Sequence, residues 1–478
     1  MRARLSPLGA SVRIRTFVLA ASLATTGLLG LPGGAASAAP APFADDFNGD
    51  GYRDTAVAAP DATVSGKESA GAVIVFYGSA NGISAGRRQT VSQSSAGVPG
   101  AAETNDRFGE SLATGDLDLD GYADLLIGTP REDLDADRDA GSLTVVWGGA
   151  SGLGAGATVK PSAVPDKGCA FAEALTTGDT DDNGAADIAV GSRCSAQYFQ
   201  GPFTRQGVPL SRGKDRQLGT TRAAVTGNLD GDRTAERVML PGLSEGDGGT
   251  VLLDDWTQGQ YKRTDLTRAD GTVGAVGDVN GDGYGDLVLG DDMDPEADRP
   301  DAHLGGEISV WYGGPTGINA DQTPTRINQD TAGVPGTGER SDRFGFSVSS
   351  ADTDNDGFSD VVVGAPGETV DGKDFAGSAT VLLGSAHGLT GSGARAIHEN
   401  TQGVPGAVEA DDTFGSVVDL VDRNGDGKAD LSVGVPGENG TGCTWNTRGT
   451  SVTRSFYLCA DKLGVTGDSA AFGSVISR

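Results

Sequence analysis

Short aspartate-rich runs open at residues 46, 116, 179, 228, 278, 352 and 422, in steps of 70, 63, 49, 50, 74 and 70. A spacing of this kind outranks other signals, because a repeat buries its apolar face only against its neighbours. Other signatures keep the same period. Asp-Arg-Phe-Gly stands at Asp106–Gly109 and Asp342–Gly345, with relatives at Asp412–Gly415 and Cys169–Ala172. Eight residues after Phe108, Phe171, Phe344 and Phe414 comes the acid that opens a run. Then follow β-rich stretches such as Ile127-Gly128-Thr129-Pro130, Val363-Gly364-Ala365-Pro366 and Val433-Gly434-Val435-Pro436. Alternating apolar stretches bounded by glycine recur at Gly71–Gly78, Gly141–Gly148, Gly306–Gly313 and Gly377–Gly384, and Gly-Val-Pro-Gly begins at Gly97, Gly333 and Gly403. Seven units of about 50–70 residues, each with four short β-runs, predict an all-β, seven-bladed propeller. Helical periodicity is nearly absent, which disfavours a helical solenoid.

The two ends of the repeat array complement each other. The run at Asp46 has no Phe-Gly strand before it, whereas Phe472-Gly473-Ser474-Val475-Ile476 is a strand with no acidic run after it. Pairing the C-terminal strand into the first blade closes a ring and covers an edge that would otherwise invite aggregation.

The Phe-Gly…Gly-Ala-Pro pattern, complete at Phe344-Gly345 and Gly364-Ala365-Pro366, resembles the FG-GAP repeat, the unit of the integrin α-subunit β-propeller. The resemblance runs over 43–478, is clear in six of the seven units, and is to the propeller alone. It implies a Ca²⁺ ion in the loop between the first two strands of each blade, and a ligand face on the opposite side.

The acidic runs support the same chemistry independently. Each places oxygen side chains at positions 1, 3, 5 and 9, a glycine at 6 for a sharp bend, and a free carbonyl at 7, as in a loop that wraps a hard cation. The expected ligands are Asp46, Asn48, Asp50, Tyr52 and Asp54; Asp116, Asp118, Asp120, Tyr122 and Asp124; and Asp179, Asp181, Asn183, Ala185 and Asp187. In the later units they are Asp278, Asn280, Asp282, Tyr284 and Asp286; Asp352, Asp354, Asp356, Phe358 and Asp360; and Asp422, Asn424, Asp426, Lys428 and Asp430. The residue at position 7 offers its carbonyl. The fourth run, Asn228 to Glu236, departs: Arg233 replaces the bend glycine and Glu236 the ninth Asp, so strong binding is not expected there. Solvated Asx turns explain one or two such runs. Twenty carboxylates packed into six short loops repel one another, and six Ca²⁺ ions neutralise twelve of those charges. Mg²⁺ fits less well because it demands a tight octahedron and keeps its waters.

Composition narrows the partners. The formal net charge is −30, which opposes direct binding to nucleic acid or an anionic membrane. Arg2, Arg4, Arg13 and Arg15 precede an apolar stretch, Phe17–Leu31, and Ala36-Ser37-Ala38 has the form of an export-signal cleavage site. Loss of 1–38 takes the charge to −34, leaving 39–478 as a single secreted, monomeric propeller with no later stretch long enough to span a bilayer. Four cysteines suit an oxidising compartment. They allow three pairings, and spacing favours Cys169–Cys194 and Cys443–Cys459, each set at matching heights on a hairpin. Free thiols or a metal site are the alternative.

Catalysis has little support. His303, His387 and His398 stand outside the repeat framework. The Gly-x-Ser-x-Gly strings at Gly82–Gly86 and Gly242–Gly246 lie between no strand and helix, as a nucleophile elbow requires. The expected function is an extracellular binding or adhesion module for a protein or glycan. The competing reading is a Ca²⁺-dependent enzyme on a propeller, such as a polysaccharide lyase, which requires a basic cluster on the ring axis; none is visible in the sequence. Recognition is expected on the acidic loops Pro130–Gly141, Asp291–Gly305, Pro366–Gly377 and Pro436–Gly442, with Trp445 and Tyr457 as aromatic candidates. Phe108, Phe171, Phe344, Phe414 and Phe472 are expected to be wedges between blades.

Overall fold

The computed structural model describes residues 41–477 apart from 42, 135–138, 163–166, 216–218, 242–249, 257–259, 297–301 and 468. The export-signal reading of 1–38 and the string at Gly242–Gly246 therefore lie outside the described residues.

The β-branched and aliphatic runs form seven four-stranded antiparallel sheets among the described residues. Blade two is representative: Ser111–Gly115, Asp124–Thr129, Ser142–Val146 and Gly156–Thr158 pair in chain order. Its second strand, DLLIGT, is buried along its whole length, because neighbouring blades cover both of its faces. The innermost strands touch one another in sequence around the ring.

Closure follows the expectation from the chain ends. Val475–Ile476 is the innermost strand of blade one, with Val57 opposite Ile476 and Ala58 opposite Val475. Ser477 N–H donates to Ala56 O at 2.8 Å, and Ala56 N–H donates to Ser477 Oγ at 3.0 Å.

The repeat signatures turn out to be interlocking parts. Phe108, Phe344, Phe414 and Phe472 are completely buried and Phe171 nearly so, each inside an inter-blade cluster. The glycine opening the third strand of one blade lies against the phenylalanine of the next. A Cβ on Gly71 would sit 2.3 Å from Phe108 O, and one on Gly442 2.3 Å from Phe472 O. Both glycines also have positive φ, so the spacing and the backbone each require glycine.

The disulfides pair as expected, Cys169–Cys194 and Cys443–Cys459. Cys443 and Cys459 face each other across a hairpin. Cys169 and Cys194 differ from the expected placement. They lie beyond the ends of the paired strands Ala174–Gly178 and Asp187–Gly191, where they tie two loops. No helix of the described residues is long and apolar enough to cross a membrane.

Candidate metal hairpins and the opposite face

Each acidic run leads into the second strand of its blade, joining it to the first in every blade but blade one, whose first strand is the C-terminal Val475–Ile476, so all of them emerge from one face of the ring. The first residue folds the loop around itself. Asp46 accepts from the N–H groups of Gly49, Asp50 and Gly51 at 2.7–3.2 Å, and Asp278 and Asp422 repeat the pattern. Asp116 and Asp179 do the same with two loop N–H groups each, and Asp352 with three, those of Asp354, Asn355 and Gly357. The sixth-position glycine takes positive φ in all six regular loops, from Gly51 at 84° to Gly357 at 91°. Arg233 disfavours that conformation; the fourth loop keeps the bond from Gly231 N–H to Asn228 Oδ1, at 2.6 Å, and adds Asn228 Nδ2 donating to Asp232 O.

The ninth residue has a second task that the sequence did not reveal. One oxygen of Asp54 accepts Phe47 N–H at 2.9 Å and the other accepts Gly78 N–H, at the end of the third strand, at 2.8 Å. Asp124, Asp187, Asp286, Asp360 and Asp430 make the same two bonds, reaching Gly148, Gly201, Gly313, Gly384 and Gly449. Burial is the main cause that pushes Asp54 and Asp124 up to about 8 and Asp187 and Asp286 up to about 6. Such carboxylates stay charged readily only beside a positive charge.

The acids converge to different degrees in different loops. Asp116, Asp118 and Asp124 in blade two, and Asp352, Asp354 and Asp356 in blade six, each bring three carboxylate oxygens within 4.8 Å of one another. In the other four regular loops asparagine holds position 3 or 5, and no three acids approach so closely among the described residues. Asn424 Nδ2 donates to both oxygens of Asp430. Arg205 pairs with Asp118 and Asp120, and Arg87 with Asp50 at 2.8 Å, so protein cations share some of this charge. Blade four holds a third cluster, Asp230, Glu236 and Asp255. Asp255 ends the third strand of that blade, which placed it outside the spacing rule.

The position-7 side chains link neighbouring loops. Tyr122 lies over Gly49, Tyr284 over Gly231, Phe358 over Gly281 and Tyr52 over Gly425, each reaching the loop of the preceding blade.

The opposite face departs from the expectation for its aromatic residues. Trp445 is fully buried against Phe414, and Tyr457 is partly buried with its hydroxyl donating to Glu399, so neither is a surface platform. The exposed aromatic in these loops is Phe375, within Pro366–Gly377. Of the other candidate loops, 135–138 and 297–301 lie outside the described residues. The axis holds a cavity of about 710 Å³ whose lining mixes Arg53, Arg222 and Arg343 with Asp45, Glu110, Asp292 and Asp419, so basic side chains are not in excess there. Arg53 pairs with Asp45 at 2.7 Å and Arg343 with Asp292 at 2.7 Å, while Arg222 is exposed.

The FG-GAP repeat family matches at residues 40–76, 108–146, 344–382 and 414–445, which fall in blades one, two, six and seven, fewer than the six units in which the pattern is visible by eye. Human integrin α-IIb is 31% identical over 225 residues, 45% of this chain and 20% of its own length. Bovine phosphatidylinositol-glycan-specific phospholipase D is 28% identical over 191 residues, 39% of this chain and 21% of its own. The chain thus spans about a fifth of the length of these relatives. A rhamnogalacturonan lyase of Bacillus licheniformis aligns over 75% of this chain and 55% of its own, at 15% identity and a TM-score of 0.30. The chain carries FG-GAP repeats in a seven-bladed β-propeller and is similar to integrin α subunits.

Proposed function

We propose that the chain is exported with loss of residues 1–38, that 39–478 forms one monomeric propeller, and that its six regular acidic loops hold structural Ca²⁺. On this reading it serves outside the cell as a binding or adhesion module for a protein or glycan. The observation that carries the reading is the contrast between a repetitive ring, clamped loop by loop, and the unequal acidic loops on the face opposite the hairpins. Variable loops on a rigid scaffold are where recognition usually sits. The resemblance to integrin α propellers supports the same assignment. Calcium would rigidify the first hairpin of each blade and couple folding to metal occupancy.

Equilibrium dialysis of the protein lacking 1–38 should find about six Ca²⁺ per chain, the number of regular loops. A glycan array with and without chelator tests the ligand, and uniform failure to bind leaves a protein partner. The second reading is a polysaccharide lyase working in the axial cavity, which the exposed Arg222 lines. Release of unsaturated sugars from polyuronates, abolished by Arg222→Ala, would establish that reading over the first.

A further inference from the structure

On the face opposite the acidic hairpins, three blade interfaces share one polar arrangement. Between blades one and two, Gln93 Nε2 donates to Glu132 Oε2 at 2.6 Å, and Asp106 accepts Glu103 N–H at 2.7 Å. Between blades five and six, Gln329 donates to Glu368, and Asp342 accepts Glu339 N–H at 2.7 Å. Between blades six and seven the frame is the same, with Glu438 at the position of Glu132 and with Asp412 accepting Glu409 N–H at 2.8 Å. Here Glu399 replaces the glutamine, four residues before the Gly-Val-Pro-Gly at Gly403, just as Gln93 and Gln329 precede Gly97 and Gly333.

That replacement removes the glutamine amide that donates across the interface and adds a carboxylate. Oxygens of Glu399, Asp412 and Glu438 lie within 4.8 Å of one another, and the three residues are 5%, 2% and 7% exposed. Glu399 Oε1 takes the Tyr457 hydroxyl and Glu438 Oε1 takes Asn439 Nδ2, but Glu399 Oε2 and Glu438 Oε2 are buried with no donor at all. The charged groups that face Glu399 are the other two carboxylates. Burying unpaired carboxylates is expensive unless a cation or protons compensate them. The donors are hard oxygens, the set preferred by Ca²⁺ and Mn²⁺.

We propose that Glu399, Asp412 and Glu438 form a divalent-cation site between blades six and seven, separate from the hairpins and on the opposite face. The ion takes over the role that the glutamine amide plays at the two sister interfaces. It would pin the loop after Pro436 to the loop before Phe414, inside one of the candidate recognition surfaces.

The sister interfaces supply the test. Glu399→Gln installs the residue they use, so the interface should close without metal. Dialysis of the full chain against CaCl₂, and separately against MnCl₂, with metal counted by atomic emission, should find one fewer ion per chain in E399Q than in the parent. Equal counts with both metals would overturn the proposal. If E399Q does not fold, Gln329→Glu decides instead: one additional ion supports the proposal, and no gain refutes it. Hairpin binding contributes equally to parent and variant, so its presence or absence leaves the difference unchanged.

Discussion

If the ring is closed by its own tail, Phe472 should be worth as much as a phenylalanine in the middle of the array. Its side chain is completely buried among Val57, Ile74 and Phe76 of blade one and Val417 and Leu458 of blade seven. Removing a buried phenylalanine to alanine costs about 3–5 kcal/mol, combining lost transfer energy with the cavity left behind. The edge-on contact with Phe76, with centroids 6.5 Å apart, is about 0.5–1.5 kcal/mol of that. Phe344→Ala, in the cluster between blades five and six, is the internal reference. Both variants and the parent should be unfolded in guanidinium at fixed Ca²⁺, with stability read from the midpoint and slope. The expected result is two losses of similar size. A loss under about 1 kcal/mol for Phe472→Ala, beside a full loss for Phe344→Ala, would mean that the tail is unlatched and would refute closure.

Arg423 is buried between blades seven and one, bonding Thr55 Oγ1 at 2.6 Å and pairing with Asp419. Arg423→Ala should cost about 3–5 kcal/mol in the same assay, because Asp419 is left buried without its partner. Asp342 is pushed up to about 7, chiefly by burial. A carboxyl whose folded pKa is raised contributes stability below its unfolded pKa and loses it as pH rises through the folded one. The melting temperature of the parent should therefore fall from about pH 4 to about pH 7 more steeply than that of Asp342→Asn. Replacing Cys443 and Cys459 by serine should lower stability by about 3 kcal/mol in denaturant melts, given the short loop they close.

The periodic residues made most of the fold legible. Phe108, Phe344 and Phe414, the glycines before the third strands and the acidic runs recur because every blade solves the same packing problem against its neighbour. The orphan strand at Phe472–Ile476 declared the closure for the same reason. Blade four was the least legible of the units. Arg233 broke the loop pattern, and Asp255 joined it from another strand of the blade.

What the sequence determined by itself was therefore local and repeated: the strand pattern, the blade number, the disulfide partners and the residues able to present oxygen to a cation. Apart from the closure, only the tertiary structure decided relations between repeats. It buried Trp445 that a surface reading had offered to a ligand, made the ninth aspartate of each regular loop a clamp on the third strand, and gathered acids and arginines of different blades around one axial cavity. The physical reason is that a period fixes what each unit contributes, whereas burial, charge compensation and the shape of the axis depend on how seven units sum around a ring.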